Sequence, residues 1–101
     1  MIVVLATIEV VADRRPEFLT EFQQIVPLVR AEQGCIEYGP TVDASTEITS
    51  QTTDANTVTV VEKWESLTDL QAHLVAPHMQ EYRTRVQDLV VGMELKILEP
   101  A

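Results

Sequence analysis

The chain has 101 residues, of which 46% are hydrophobic and 23% charged, so it has the composition of one globular domain and is too short for two separate cores. Sixteen Asp and Glu against seven Lys and Arg give a formal net charge of -9, and no basic run exceeds Arg14-Arg15. Phosphate backbones would be repelled, which argues against nucleic acid as a partner.

Met1 to Val11 is almost continuously apolar and rich in Val and Ile, the pattern of a central strand that seeks burial on both faces. It lacks the basic flank and cleavage site of a signal peptide and is too short to cross a bilayer, so no membrane association is expected and a cytoplasmic location is the default. Asp13 is placed to cap the next segment, and Pro16 falls where a first helical turn tolerates it. Phe18, Phe22, Ile25 and Val29 recur at helical spacing. Pro27 should kink this helix, and Gly34 is placed to end it. Cys35 to Val42 reads as a second strand, whose Gly39-Pro40 suits an edge or a bulge.

Ser45 to Thr57 is a polar connection with room for an irregular strand around Ile48. Val58 to Glu65 is a clear strand in which Val58, Val60, Glu62 and Trp64 share one face. Ser66 with Asp69 makes a capping pattern before Leu67, Leu70 and Leu74, giving a short helix that ends near Ala76. Pro77 opens another, with Met79, Tyr82, Val86 and Leu89 at helical spacing and Gly92 as its stop. Glu94 to Leu98 supplies the last strand, with Leu95 and Ile97 on one face. The order is that of a ferredoxin-like βαββαβ fold of the α+β class, whose helices cover one face of the sheet. The two-sided first strand then predicts a homodimer paired sheet to sheet; the alternative is a monomer whose open face is covered by residues 45–57.

Only Gly34, Gly39 and Gly92 occur, so no phosphate-cradling loop or dinucleotide fingerprint exists, and no cofactor is expected. Cys35, the lone cysteine, cannot form an internal disulfide and reads as a small packed hydrophobe. The remaining chemistry gathers between Glu62 and His78. Glu62 lies on the Trp64 face; if that face looks inward, the carboxyl needs a partner or a raised pKa, and if it is solvated it has no task. His73 lies about 60° around the helix from Leu70, at the border of the apolar stripe, where it either reaches a pocket or stands half exposed without a role. His73 and His78 are about 140° apart on a continuous helix, a poor arrangement for a shared metal, and no metal is expected. Trp64, Tyr38, Tyr82 and His78 all have packing or turn-anchoring explanations.

The stretches Glu62-Lys63-Trp64-Glu65-Ser66, Ala72-His73-Leu74, Ala76-Pro77-His78-Met79 and Gly34-Cys35-Ile36-Glu37-Tyr38 together resemble the antibiotic biosynthesis monooxygenase family. The resemblance covers nearly the whole chain and implies a dimeric α+β barrel. In some members it also implies cofactor-free oxygenation of quinols or anthrones. It implies a ligand cavity lined at Trp64. Members that degrade haem use an Asn on the first strand, and none occurs between Met1 and Val11. On this reading His73 is the base or proton shuttle and Glu62 the alternative. Trp64 forms an apolar wall for a small aromatic substrate, and Tyr38 or His78 holds one of its oxygens. A metabolite-binding module without turnover and an isomerase are the competing readings.

Overall fold

The computed structural model describes all 101 residues, Met1–Ala101. Strands β1 (Ile2–Val10), β2 (Cys35–Thr41), β3 (Thr57–Trp64) and β4 (Val90–Leu98) alternate with helices α1 (Arg15–Arg30), α2 (Leu67–Leu74) and α3 (Pro77–Val86) in the order βαββααβ. This is the ferredoxin-like βαββαβ arrangement with its second helix broken at Val75-Ala76 ahead of Pro77. The four strands form one antiparallel sheet ordered β2-β3-β1-β4. The sheet is open, with β2 and β4 at its edges, so closure into a barrel would need a second chain.

Alternation along the strands decides which residues enter the core. Val4, Ala6, Ile8 and Val10 of β1 and Val58, Val60, Glu62 and Trp64 of β3 are buried beneath the helices. Phe18, Phe22, Ile25, Val26 and Val29 of α1 and Met79, Tyr82 and Val86 of α3 close over them. On the helix-free face Val3, Leu5 and Val61 are only half buried. Ile48 is 66% exposed in a connection held by its own polar contacts, among them Asp54 N–H to Asp43 Oδ2 at 2.7 Å and Gln51 Nε2 to the Ala44 carbonyl at 2.7 Å. It forms no strand around Ile48.

Several local expectations change. Asp13 does not cap α1: it takes φ 66, a left-handed conformation that Asp tolerates, and forms the turn out of β1. The cap position falls to Arg14, which makes no capping bond but pairs with Glu17 at 2.6 Å. Helix α1 is assigned without interruption across Pro27, which is on the exposed side. The capping pattern at Ser66 holds, with Asp69 N–H donating to Ser66 Oγ at 3.1 Å, although Leu67 is 48% exposed and His73 takes the inward place beside Leu70. Strand β4 begins at Val90, because Val90 already pairs with Val10 of β1 across a bulge. Gly92 therefore lies inside an edge strand opposite Glu9, and α3 ends earlier, at Val86.

Candidate functional site

A cavity of about 370 Å³ lies between the sheet and helices α2 and α3 and opens towards β4. Ala6, Ile8 and Val60 form its floor, Phe22 and Val86 are among its apolar walls, and Met93 and Leu95 stand at its β4 side. Four polar side chains interrupt this lining in the interior: Glu62 from β3, His73 from α2, Tyr38 from β2 and Tyr82 from α3. Small-ligand sites have this character, an apolar concavity with a few placed polar groups.

Glu62 enters the interior because strand alternation puts it on the same face as Val60 and Trp64. It is 5% exposed, and its Oε1 accepts the Trp64 indole N–H at 2.9 Å. Burial raises its pKa to about 7, with the indole donor opposing the shift and the nearby Glu32 charge adding to it. His73 is 2% exposed and is held between two rings, Trp64 at 4.7 Å and Tyr38 at 5.4 Å between centroids. One edge of the imidazole is turned to Glu32, where Nδ1 meets Oε2 at 2.9 Å. The other edge is turned to Glu62, with Nε2 3.9 Å from Oε1. Burial lowers the His73 pKa, and the bond to Glu32 works against that shift. The direction of that shift favours the uncharged ring, with Nδ1 turned to Glu32 and Nε2 to Glu62.

The Tyr38 and Tyr82 hydroxyls make no hydrogen bond within the chain, yet no sealed side-chain polar atom lacks a partner. Both hydroxyls therefore keep some exposure, and both residues line the cavity. Burial drives both phenol pKa values upward, so each is a neutral donor.

Of the residues singled out in the sequence, the fold brings Glu62, His73 and Tyr38 to one cavity. Trp64 and His78 go elsewhere. Trp64 is 0% exposed, holds Glu62 by its N–H and is not among the residues that line the cavity. His78, at the first turn of α3, turns its Nε2 to Glu32 Oε2 at 2.8 Å rather than into the cavity. Cys35 is partly buried and packed against the core, and burial raises its thiol pKa, leaving it protonated. Glu32 was not legible as a site residue. It follows α1 as one acid among many, and its partners His73 and His78 are 41 and 46 positions away.

Residues 1–85 match the model of a family described as "Antibiotic biosynthesis monooxygenase". The chain belongs to that family. "Probable quinol monooxygenase YgiN" of Escherichia coli K12 is 38% identical over 86 residues, which cover 85% of this chain and 83% of YgiN. Among solved structures, Rv0793 from Mycobacterium tuberculosis superposes with a TM-score of 0.81 at 24% identity, covering 99% of this chain and 94% of the other. A conserved protein from Methanosarcina mazei Go1 gives 0.84 at 21% identity over 99% and 92%. These likenesses show the shared fold. No helix is long and apolar enough to cross a membrane.

Proposed function

We propose that this family member is a cofactor-independent monooxygenase that oxidises an electron-rich aromatic, such as a quinol or an anthrone, in the cavity beneath α2 and α3. The observation that carries this reading is the meeting of an imidazole nitrogen and a buried carboxyl, 3.9 Å apart, on a largely apolar cavity. Such a pair suits removal of a proton from a substrate and its later return. The name of the YgiN relative favours a quinol.

His73 Nε2 takes the substrate proton and leaves the electron pair on an extended aromatic anion, which is reducing enough to react with oxygen itself. The protein supplies position, exclusion of water and hydrogen bonds to the charged oxygen. For an anthrone the overall change is CH2 + O2 → C=O + H2O: one oxygen atom becomes the carbonyl and the other leaves as water. The anion adds oxygen to give a peroxide that takes the proton held on His73. Loss of the second C–H proton to His73 then forms the carbonyl and breaks the O–O bond, and that proton, or the one shared by Glu62 near pH 7, leaves with the departing oxygen as water. Tyr38 and Tyr82 donate to the substrate oxygen, and Phe22 faces its ring. Trp64 and His78 act behind the cavity lining.

Oxygen uptake by chelator-treated protein, with a panel of hydroquinones and anthrones, tests the reading. Consumption above the autoxidation rate is expected for at least one compound. For that compound, His73→Ala should lose about 10² to 10⁴ in turnover, the range that general base catalysis contributes. Binding without oxygen consumption across the panel would point to a metabolite-binding module and overturn the proposal.

A further inference from the structure

Glu32 stands at the centre of a chain of side chains that runs from the cavity to the surface. His73 is 2% exposed, Glu32 15% and His78 24%. A single carboxylate oxygen, Oε2, meets His73 Nδ1 at 2.9 Å and His78 Nε2 at 2.8 Å. Both rings must donate to it, because a carboxylate offers only acceptors. The rings of Trp64 and Tyr38 flank the imidazole and hinder its rotation.

We propose that Glu32 is the positioning residue of this site: it fixes His73 as the Nδ1–H tautomer, so that Nε2 keeps a lone pair on the cavity side, and His78 aims Glu32 by donating to the same oxygen. The catalytic use of this arrangement rests on the reading of His73 as the base; the tautomer itself does not. When Nε2 gains the substrate proton, the new imidazolium already faces a carboxylate, which steadies its charge without rearrangement. Burial chiefly, and the same carboxylate to a lesser degree, discourage ionisation of Glu62, so Glu32 favours a charged His73 and a protonated Glu62.

The groups that bear on the His73 ring are Glu32 after α1, Tyr38 from β2, Glu62 from β3, and His78 and Arg83 from α3. Of these, only Glu32 bonds to it. Long-range proton–nitrogen NMR on histidine-labelled protein at pH 7 reads the tautomer without any substrate. In the wild type, His73 should be neutral with the proton on Nδ1. In Glu32→Ala, which leaves Nδ1 without an acceptor, the Nε2–H form should appear and the His73 titration should move to lower pH, since the carboxylate favouring the charged ring is gone. Glu32→Asp, which keeps the carboxylate on a shorter arm, should restore part of the wild-type signature. With an oxidised quinol in hand, Glu32→Gln should lower kcat by about 10²-fold, within the range of base catalysis, with a smaller change in KM and an acid limb shifted downward.

An Nε2–H tautomer in the wild type, or an unchanged tautomer in Glu32→Ala, would overturn the proposal. The wild-type spectrum decides the first point even if the variant fails to fold. Absence of turnover with every quinol would sink the oxygenase reading and leave the tautomer result standing.

Discussion

A carboxyl group inside an apolar lining, with one indole N–H for company, gives up its proton later than one in water. Glu62 has a folded pKa near 7, above its ordinary value of 4.5. Between those values the folded chain binds more protons than the unfolded one, so this group's contribution to stability is complete at low pH and is lost as pH rises through 7. The full loss is about 3 kcal/mol from the size of the shift. Glu62→Gln keeps an oxygen for the Trp64 N–H and removes the titration, so the variant should gain on the wild type between pH 5 and pH 8. Urea midpoints at the two ends check this, and an equal difference at both would show that Glu62 does not titrate in this window. His73 works in the opposite sense: its lowered folded pKa makes its contribution fade as pH falls below the unfolded value of 6.5. Glu62, His73 and Tyr38 were legible as inward candidates because strand alternation and helical spacing are local signals. The positions of Glu32 and His78 follow from the packing of α3 against α1, which no local pattern encodes.

At the scale of elements, the turn after α1 and the start of α2 are fitted to each other. Gly34 takes φ 78, and a Cβ added there would meet Asp69 Oδ2 at 2.1 Å and Asp69 Cβ at 2.7 Å. Asp69 is also the residue whose N–H donates to Ser66, so a side chain at position 34 would strain the backbone and disturb the α2 cap together. Gly34→Ala should cost about 2 to 3 kcal/mol, summing a left-handed penalty with loss of a cap. Because His73 is one turn further along α2, its contact with Glu32 should loosen as well. Chemical denaturation measures the cost, and wild-type stability would show that the turn yields freely. The elements themselves were legible wherever periodicity was strong, as in β1, α1 and β3. Boundaries set by pairing were not: Val90 and Gly92 join β4 because β1 offers them partners, and Asp13 serves a turn whose shape its neighbours dictate.

For the whole molecule, the helix-free face of the sheet is the unfinished surface. Val3, Leu5 and Val61 lie there half buried, with Leu98 beside Val3 and the Lys63–Glu37 pair at 3.0 Å towards one edge. The one large apolar residue of the 45–57 connection, Ile48, is mostly exposed. We propose that a second copy of the chain covers it, since two-fold pairing presents one patch to itself. Light scattering at micromolar concentration should give about twice the 11.3 kDa chain mass; a strictly monomeric species would refute this. The strand order has a further consequence, in time rather than in space. Strand β1 is made first and lies centrally, yet its hydrogen-bonding partners, β3 and β4, begin at Thr57 and Val90. During synthesis the most apolar segment of the chain must wait, unpaired, until β3 has followed, and it is flanked on both sides only when β4 has been made. Pairings this distant along the chain place folding towards the millisecond-to-second end of the range, and leave the nascent chain exposed to aggregation for as long as β1 stands alone.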